Sequence, residues 1–185
     1  MSDQATPSAS APDGSLLIDG SLPARPDDLL RRLDELEIPH ATHRHDPVFT
    51  VEEARRVRGN LPGCHTKNLF LRDKKGRMWL FVCEQDRAVD MKSIADLIGA
   101  KHLSFGSPKR LMQYLGVIPG AVTPFAVVND KSRQVQVVLD GPILSEEPLN
   151  FHPLDNAMTT AIDSSDFLRF LEAEEHPPRI LGPGT

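Results

Sequence analysis

The chain has 185 residues and a mass of 20.5 kDa, which leaves room for one domain of ordinary size. Hydrophobic residues make up 39% and charged residues 25%, and this balance excludes a wholly disordered chain. The formal net charge of −5 argues against a broad, non-specific polyanion binder. The longest apolar runs are far shorter than the ~20 residues of a membrane-spanning helix, so we expect no membrane partner.

The cysteines and the N-terminal segment indicate the cellular compartment and the start of the domain. Cys64 and Cys83 form no CxxC pair, so we expect neither a disulfide framework nor a thiolate zinc site. The first basic residue is Arg25 and no signal peptide is predicted, which favours the cytoplasm. Residues 1–24, rich in Ser, Ala, Pro and Asp, are predicted to be a flexible tail before a domain over residues 25–182.

The first half of the domain contains two predicted helices and a hairpin. Leucines at helical spacing around Leu29 predict the first helix. A capping-box pattern that begins at Thr50 predicts the second, with Gly59 as its end. Two apolar strands, over residues 67–72 and 78–84, flank a short polar turn and predict the hairpin.

The next stretch contains two short helices with well-marked ends. Asp90 is a predicted N-cap for a helix that closes at Gly99. Ser107, followed by proline at the first helical position, begins another helix that ends at Gly116.

Strands dominate the remainder of the chain. Residues 125–129 and 133–139 are predicted to form a second hairpin, and residues 157–162 a further strand. Ser164 or Ser165 is expected to cap a last amphipathic helix. Hairpins separated by short helices predict an α+β fold, with a mixed or antiparallel sheet and peripheral helices rather than a doubly wound fold.

A lysine and an asparagine at a strand start are the first candidate site residues. The sequence carries no G-x-S-x-G, P-loop, HExxH or G-x-G-x-x-G motif. Lys67 and Asn68 can instead point polar groups into a cleft, where an ammonium could hold a phosphate or polarise a carbonyl. A solvated lysine at the end of a strand explains the same pattern.

A glycine- and proline-rich loop follows the helix that ends at Gly116. Two glycines and two prolines lie within residues 116–125, which predicts a stiff loop with exposed backbone N–H groups. Such a loop could line a small pocket or supply oxyanion donors. An ordinary connection between a helix and a strand is the alternative.

The histidines offer a base but no convincing metal site. His152 could be a general base, a hydrogen-bond donor or a packed residue. His43 and His45 alternate on a predicted strand, but no third ligand lies at telling spacing, so no metal is expected. Cys64 stands beside His65, yet adjacent side chains on an extended chain point apart, so we reject a thiol nucleophile.

Three segments together resemble a known family. They are the runs T-K-N-L-F-L-R-D from Thr66, L-G-V-I-P-G-A-V-T-P-F from Leu115 and H-P-L-D-N-A-M-T-T from His152. Their order and spacing resemble the YbaK/ProX family of trans-editing domains, most closely the free-standing alanyl-tRNA(Pro) deacylases of the PrdX or ProXp-ala type. The resemblance covers residues 26–182.

The resemblance implies a fold, an activity and a partner. The family fold is a mixed, partly barrel-like β-sheet with surrounding helices. Its activity is hydrolysis of the ester that joins a wrong amino acid to tRNA(Pro), without a metal or organic cofactor. The implied partner is the tRNA(Pro) acceptor end carrying alanine, with prolyl-tRNA synthetase or an elongation factor as open possibilities.

The resemblance also assigns site residues. Lys67 matches the family lysine that positions the acceptor end, with Asn68 and His152 in supporting catalytic roles. The residues that match the lining of the aminoacyl pocket are Gly116, Ile118, Pro119, Gly120, Ala121, Val122, Thr123 and Pro124. Because a synthetase pocket built for proline cannot strongly exclude alanine, a second small pocket that rejects proline is the expected device.

Alternatives remain open on the substrate and on catalysis itself. Serine or cysteine on tRNA is a second candidate substrate, and a non-catalytic module that binds tRNA or a synthetase is a candidate from another class. The charge is unevenly distributed, because residues 26–139 carry 18 basic and 14 acidic residues while residues 140–185 carry two and nine. Local contacts with one RNA end are therefore compatible with the net charge.

Overall fold

A computed structural model describes residues 11–48, 52, 53, 56 and 61–182. Over these residues the chain forms an open, mixed sheet of eight strands with helices packed on its faces. The elements are, in chain order, α1 (Pro26–Glu35), β1 (Ala41–Arg44), β2 (Cys64–Arg72), β3 (Met78–Glu84), α2 (Met91–Ile98), β4 (Ser104–Phe105), α3 (Pro108–Leu115), a first 3₁₀ helix (Pro124–Asn129), β5 (Val135–Asp140), a second 3₁₀ helix (Gly141–Ser145), β6 (Leu149–Phe151), β7 (Met158–Ile162), α4 (Ser164–Ala173) and β8 (Arg179–Leu181).

The strand order confirms the predicted α+β class with a mixed sheet. The strands run β1-β7-β6-β2-β3-β5-β8, and β4 pairs with the end of β2. The antiparallel β2–β3 pair confirms the first predicted hairpin, with Lys67 opposite Cys83 and Asn68 opposite Val82. β2 pairs in parallel with β6, and β5 runs parallel to both β3 and β8.

The second predicted hairpin is wrong. Residues 124–129 form a 3₁₀ helix, and β5 finds its partner in β3 instead. Pro124 has no N–H for a strand ladder, and the Thr123 hydroxyl accepts the Phe125 N–H at 3.3 Å, which begins a helical turn. The Asp130 carboxylate accepts the N–H groups of Gln134 at 3.0 Å and Val135 at 2.7 Å, which turns the chain into β5.

The two central helix signatures are confirmed by their caps. Asp90 accepts the N–H groups of Lys92 and Ser93 at 3.1 and 3.2 Å, and Gly99 closes α2 in the left-handed conformation. Ser107 accepts the N–H of Arg110 at 3.2 Å at the start of α3. α3 ends at Gly116, which has a φ of 63°.

Two other helix predictions have different outcomes. The last helix starts one residue earlier than predicted, because Asp163 is the N-cap residue and Ser164 lies inside α4, where its hydroxyl donates to Glu147 at 2.6 Å. Neither Ser164 nor Ser165 is therefore the cap. The helix predicted from Thr50 lies mostly outside the described residues, of which Glu52, Glu53 and Arg56 are helical.

Alternation along the central strands divides the core into two layers. One layer lies between the sheet and the helices α1, α3 and α4, and it holds Phe70, Leu80 and Val82. The other lies between the sheet and α2, and it holds Leu71 and Phe81. Residues on β2 and β3 therefore face one layer or the other according to their parity. No helix in the described part of the chain is long and apolar enough to cross a membrane.

The segment over residues 11–24 makes defined contacts where the composition predicts a flexible tail. Leu17 is buried, with 6% of its surface exposed, and the N–H of Ile18 donates to the carbonyl of Gln113 in α3 at 2.8 Å. The N–H of Ala24 donates to the side chain of Asn129 at 2.8 Å. This part of the chain is docked on α3 and the first 3₁₀ helix.

Candidate active site beside the central strands

The two polar residues at positions 67 and 68 lie on opposite faces of β2. Lys67 is paired with Cys83, whose side chain belongs to the layer under α2, whereas Asn68 shares a face with Phe70. The two polar groups therefore do not enter one cleft together, which differs from the expectation for a strand start. They also lie inside the strand, since β2 begins at Cys64.

Lys67 belongs to a polar cluster at the end of β3. Its half-buried ammonium donates to the backbone carbonyl of Arg87, and the Arg87 guanidinium contacts the buried carboxylate of Asp140. Asp140 follows Leu139, which pairs with Val82, so this carboxylate lies next to Cys83 across the sheet. An ammonium has three N–H donors, and the Arg87 carbonyl uses one of them.

Asn68 joins β2 to the glycine- and proline-rich loop. Its side-chain Nδ2 donates to the backbone carbonyl of Val122 at 3.0 Å. Its Oδ1 is buried and has no hydrogen-bond partner among the described residues. A buried acceptor without a partner is rare in folded proteins and is more often found where a substrate or water completes the bonding. Asn68 thus combines a structural bond with an unused acceptor.

The loop over residues 116–124 is stiff for identifiable reasons. The N–H of Ala121 donates to the carbonyl of Ile118 at 3.0 Å, with Pro119 and Gly120 between them and a φ of 91° at Gly120. Proline followed by a residue of positive φ is the pattern of a type II turn. Thr123 caps the following 3₁₀ helix, so both ends of the loop are fixed. The predicted stiffness of this segment agrees with its bonds.

Aromatic packing joins the residue after the loop to the residue before His152. Phe125, directly after the loop, packs edge-on against Phe151 with 5.5 Å between ring centroids. His152 is the next residue, and its Nδ1 lies 2.8 Å from the carbonyl oxygen of Met158. Since a carbonyl only accepts, Nδ1 carries the hydrogen, and in the neutral ring Nε2 is the acceptor. Asn68 is thus bonded directly to the loop, whereas His152 is joined to it through the neighbouring Phe151 and Phe125.

His45, which the sequence suggested only as a possible metal ligand, lies next to His152. Its ring centroid lies 6.3 Å from that of His152, and its Nε2 lies 2.8 Å from the Thr159 hydroxyl. The N–H of His45 donates to the carbonyl of Ala157 at 2.9 Å, which places it there. The antiparallel pairing of β1 with β7, which continues the register to these residues, could not be read from local spacing.

Neither cysteine has the chemistry of a nucleophile. Burial raises the pKa of the Cys64 thiol to about 11 and that of the Cys83 thiol to about 11. A thiol with such a pKa is protonated at neutral pH and reacts poorly. This agrees with the rejection of Cys64 as a nucleophile.

The described residues contain no group of three or more His, Cys, Asp or Glu side chains that could hold a metal ion. His43 lies in β1 with an exposed side chain. The polar groups described above are the amide of Asn68, the imidazole of His152 and backbone groups of the loop. Such groups can position and polarise an ester, and they can move a proton, without a protein nucleophile.

The sequence and the fold place the chain among the aminoacyl-tRNA editing domains. The sequence model of the family described as "Aminoacyl-tRNA editing domain" matches residues 45–170, and the chain belongs to this family. The "Prolyl-tRNA editing protein ProX" of Acetoanaerobium sticklandii is 39% identical over 146 residues, which are 78% of this chain and 89% of that protein. These matches confirm the predicted resemblance to the prolyl-tRNA trans-editing family.

A vertebrate relative and a solved structure agree with this assignment. The "Prolyl-tRNA synthetase associated domain-containing protein 1" of Danio rerio is 37% identical over 168 residues, which are 88% of this chain and 91% of that protein. A crystal structure described as "a putative trans-editing enzyme for prolyl tRNA synthetase" has a TM-score of 0.63. It is 17% identical and covers 87% of this chain and 97% of its own, so it supports the fold alone. The catalytic roles of Lys67, Asn68 and His152 stay predictions.

Proposed function

We propose that the protein is a trans-editing hydrolase that removes alanine from mischarged tRNA(Pro). Family membership and the names of the prolyl-tRNA editing relatives support the reaction class and the tRNA. The observation that carries the site assignment is the bond between Asn68 and the Val122 carbonyl, with the Asn68 acceptor left over beside the loop. Prolyl-tRNA synthetase is the partner that the vertebrate relative's name supports.

The reaction requires little from the protein because an aminoacyl ester is already activated. Water attacks the ester carbonyl carbon and gives a tetrahedral oxyanion. The bond from that carbon to the ribose oxygen then breaks, the ribose oxygen takes up a proton and free alanine leaves as its carboxylate. The neighbouring ribose hydroxyl orients the water and shares its proton. One donor aimed at the oxyanion contributes about 3 kcal/mol, or about a hundredfold in rate.

The three polar residues have separate roles in this proposal. Asn68 accepts a hydrogen bond from the attacking water or from the substrate amine through its buried Oδ1. His152, with its hydrogen held on Nδ1 by the Met158 carbonyl, accepts a proton at Nε2. Lys67 lies on the other face of β2, so its proposed role is confined to a phosphate of the acceptor strand away from the reacting ester, beside the Arg87 carbonyl.

Selectivity comes from the loop rather than from the polar groups. Missing methylenes give only about 1–3 kcal/mol of discrimination in a synthetase pocket, so alanine enters where proline belongs. A small pocket with stiff walls reverses this preference, because the pyrrolidine ring of proline does not fit. Pro119, Val122 and Pro124 are wall residues that the turn and the Thr123 cap keep in place.

The test is the release of amino acid from alanyl-, seryl-, cysteinyl- and prolyl-tRNA(Pro). We expect wild-type protein to release alanine fastest and proline slowest. Lys67→Ala is expected to release alanine at least tenfold more slowly. Gln136→Ala, which removes a 2.9 Å side-chain bond to Trp79 away from the loop, serves as the matched control and should leave the rate unchanged.

Each alternative predicts a different result. Faster release of serine or cysteine than of alanine would assign the substrate to the second candidate. Binding of every tRNA without release of any amino acid would identify a non-catalytic module and contradict the proposal. An unchanged rate for Lys67→Ala would remove that residue from the mechanism while leaving the activity in place.

A further inference from the structure

The N-terminal segment over residues 17–24, here called the strap, is docked on α3 and the first 3₁₀ helix, on either side of the loop in the sequence. Its turn is closed by a bond from the Leu17 N–H to the Ser21 carbonyl at 2.9 Å. Leu17 itself is buried, and the Ile18 N–H donates to the carbonyl of Gln113 in α3 at 2.8 Å. The strap is therefore held by a buried leucine and by a backbone bond to the helix that leads into the loop.

Asn129 links the strap to the start of the loop. Its Oδ1 accepts the N–H of Ala24 at 2.8 Å, and its Nδ2 donates to the carbonyl of Leu115, the last residue of α3, at 2.9 Å. Only 6% of Asn129 is exposed, so both bonds are made away from water. A buried amide that is bonded at both ends fixes the two segments that it joins.

The surroundings of Gly116 show how closely the strap, Asn129 and the start of the loop approach one another. A Cβ placed on this residue would lie 2.7 Å from Cβ of Pro23 and 2.6 Å from Nδ2 of Asn129. Real Cβ atoms do not make contacts that short, so the strap lies directly against the first residue of the loop. Leu154, two residues after His152, lines the same small gap as Pro23 and Gly116. The strap therefore lies against the first residue of the loop and shares a small gap with Leu154.

We infer that the strap and Asn129 position the loop over residues 116–124 and thereby set how large an aminoacyl group the pocket accepts. Asn129 is a positioning residue, since it acts on the loop through the Leu115 carbonyl and does not touch the reacting atoms. This inference rests on the proposed function. It assigns a role to a segment whose composition alone predicts a flexible tail.

The physical reason is that selection by size requires a rigid pocket wall, here the loop over residues 116–124. A pocket discriminates by a steric misfit only if the backbone cannot move to relieve it. When one anchor of the loop is removed, the loop gains conformations that admit the proline ring. The rate with alanine changes little, because alanine already fits. The expected change is thus in selectivity rather than in turnover.

The test uses two variants that release the strap by different means. Asn129→Ala removes both amide bonds, and Leu17→Ala loosens the strap without altering Asn129 or the loop. For each, kcat/KM is measured with alanyl- and prolyl-tRNA(Pro). We expect the preference for alanine over proline to fall about tenfold, with kcat for alanine within a few-fold of wild type. Val137→Ala, a buried position in β5, is the matched control, and its preference should equal that of wild type.

A second readout follows the loop itself. Amide hydrogen exchange over residues 116–124 should be about tenfold faster in Leu17→Ala than in wild type, and unchanged in Val137→Ala. Folded variants with unchanged preference and unchanged loop exchange would overturn the inference. If wild-type protein released no alanine, the proposed function would fail, while faster loop exchange in Leu17→Ala would still show that the strap positions the loop.

Discussion

At the scale of single residues, the most informative groups are buried amides and carboxylates whose bonding is unequal. Asn68 uses Nδ2 in a 3.0 Å bond to the loop and leaves Oδ1 without a partner among the described residues, whereas Asn129 uses both ends. A fully bonded amide contributes to stability, and a half-bonded one is available for a ligand. This contrast is the basis on which Asn68 is proposed to contact substrate and Asn129 to position the loop.

Asn68→Asp tests that contrast directly. The substitution keeps the size of the side chain but replaces the donor to the Val122 carbonyl with a second acceptor. The carboxylate and the carbonyl would then repel each other, and the loop would shift away from β2. We expect alanine release to fall about a hundredfold while the melting temperature changes by only a few degrees. A rate within twofold of wild type would exclude the role given to Asn68.

The buried pair of Asp130 and His176 predicts how stability depends on pH. Burial raises the pKa of Asp130, but hydrogen bonds from His176 and from the N–H groups of Gln134 and Val135 outweigh it and hold the pKa below its ordinary value. Because the folded-state pKa is lowered, this stabilisation is complete above the unfolded value of about 4 and is lost as the pH falls through the folded value.

Asp130→Asn is the matching experiment. We expect the free energy of unfolding at pH 7 to fall by about 3 kcal/mol, since the ring of His176 loses its carboxylate partner. The difference from wild type should begin to shrink below about pH 4, where the carboxyl of the unfolded wild-type chain takes up a proton, and should be lost as the pH falls through the lower pKa of the folded protein. Urea titrations at several pH values measure this, and a constant difference between pH 7 and pH 3 would contradict the assignment.

At the scale of elements, local signals were sufficient where the bonding is local. The caps of α2 and α3 and the β2–β3 hairpin were predictable, since each depends on residues within a few positions of one another. The pairing of β5 with β3 was not, because the partners are far apart in sequence and parallel strands need a long crossover. The 3₁₀ helix over residues 124–129 was not predicted for a different reason. A short apolar run has no periodicity that distinguishes a helix from a strand.

The candidate site was predictable only where it depends on neighbouring residues in the sequence. The residues that form it could be named from the motifs, and the stiffness of the loop follows from its glycines and prolines. The face of the sheet on which Lys67 and Asn68 lie could not be predicted, because it depends on how β2 is placed in the sheet. The bond from Asn68 to Val122 could not be predicted either, because it joins elements that are distant in sequence. The contact of the strap with Gly116 likewise depends on tertiary packing.

The two glycine C-caps give a matched pair of substitutions. Gly99 and Gly116 have φ values of 70° and 63°, so alanine is strained at both. A Cβ at Gly99 meets nothing within 4 Å, whereas one at Gly116 meets Asn129 and Pro23. We expect Gly99→Ala to cost about 1 kcal/mol and Gly116→Ala at least twice as much, by thermal unfolding. Equal losses of stability in the two variants would mean that the strap and Asn129 do not pack tightly against Gly116.

At the scale of the whole molecule, the uneven charge suits contact with one RNA end. Residues 26–139 hold the basic excess, and Lys74, Lys75 and Arg77 are exposed on the β2–β3 hairpin, while residues 140–185 are strongly acidic. Phosphate contacts release counterions, so binding that uses them weakens as salt rises. A pocket that recognised only the amino acid and its ester would not show this dependence.

Salt dependence therefore separates tRNA recognition from simple ester hydrolysis. We expect kcat/KM for alanyl-tRNA(Pro) to fall severalfold between 50 and about 200 mM salt. Hydrolysis of a small alanine ester, measured in parallel, should change little over the same range. Equal responses of the two substrates would show that the acceptor stem makes no ionic contacts with the protein.

The most direct test of the account is single-turnover release of amino acid from alanyl-tRNA(Pro) and prolyl-tRNA(Pro) by the wild-type protein. The chain belongs to an editing family, and its loop is anchored by Asn68 on one side and by the strap on the other. The account predicts rapid release of alanine and release of proline at least about a hundredfold slower. Equal rates for both substrates, or no release of alanine, would contradict it.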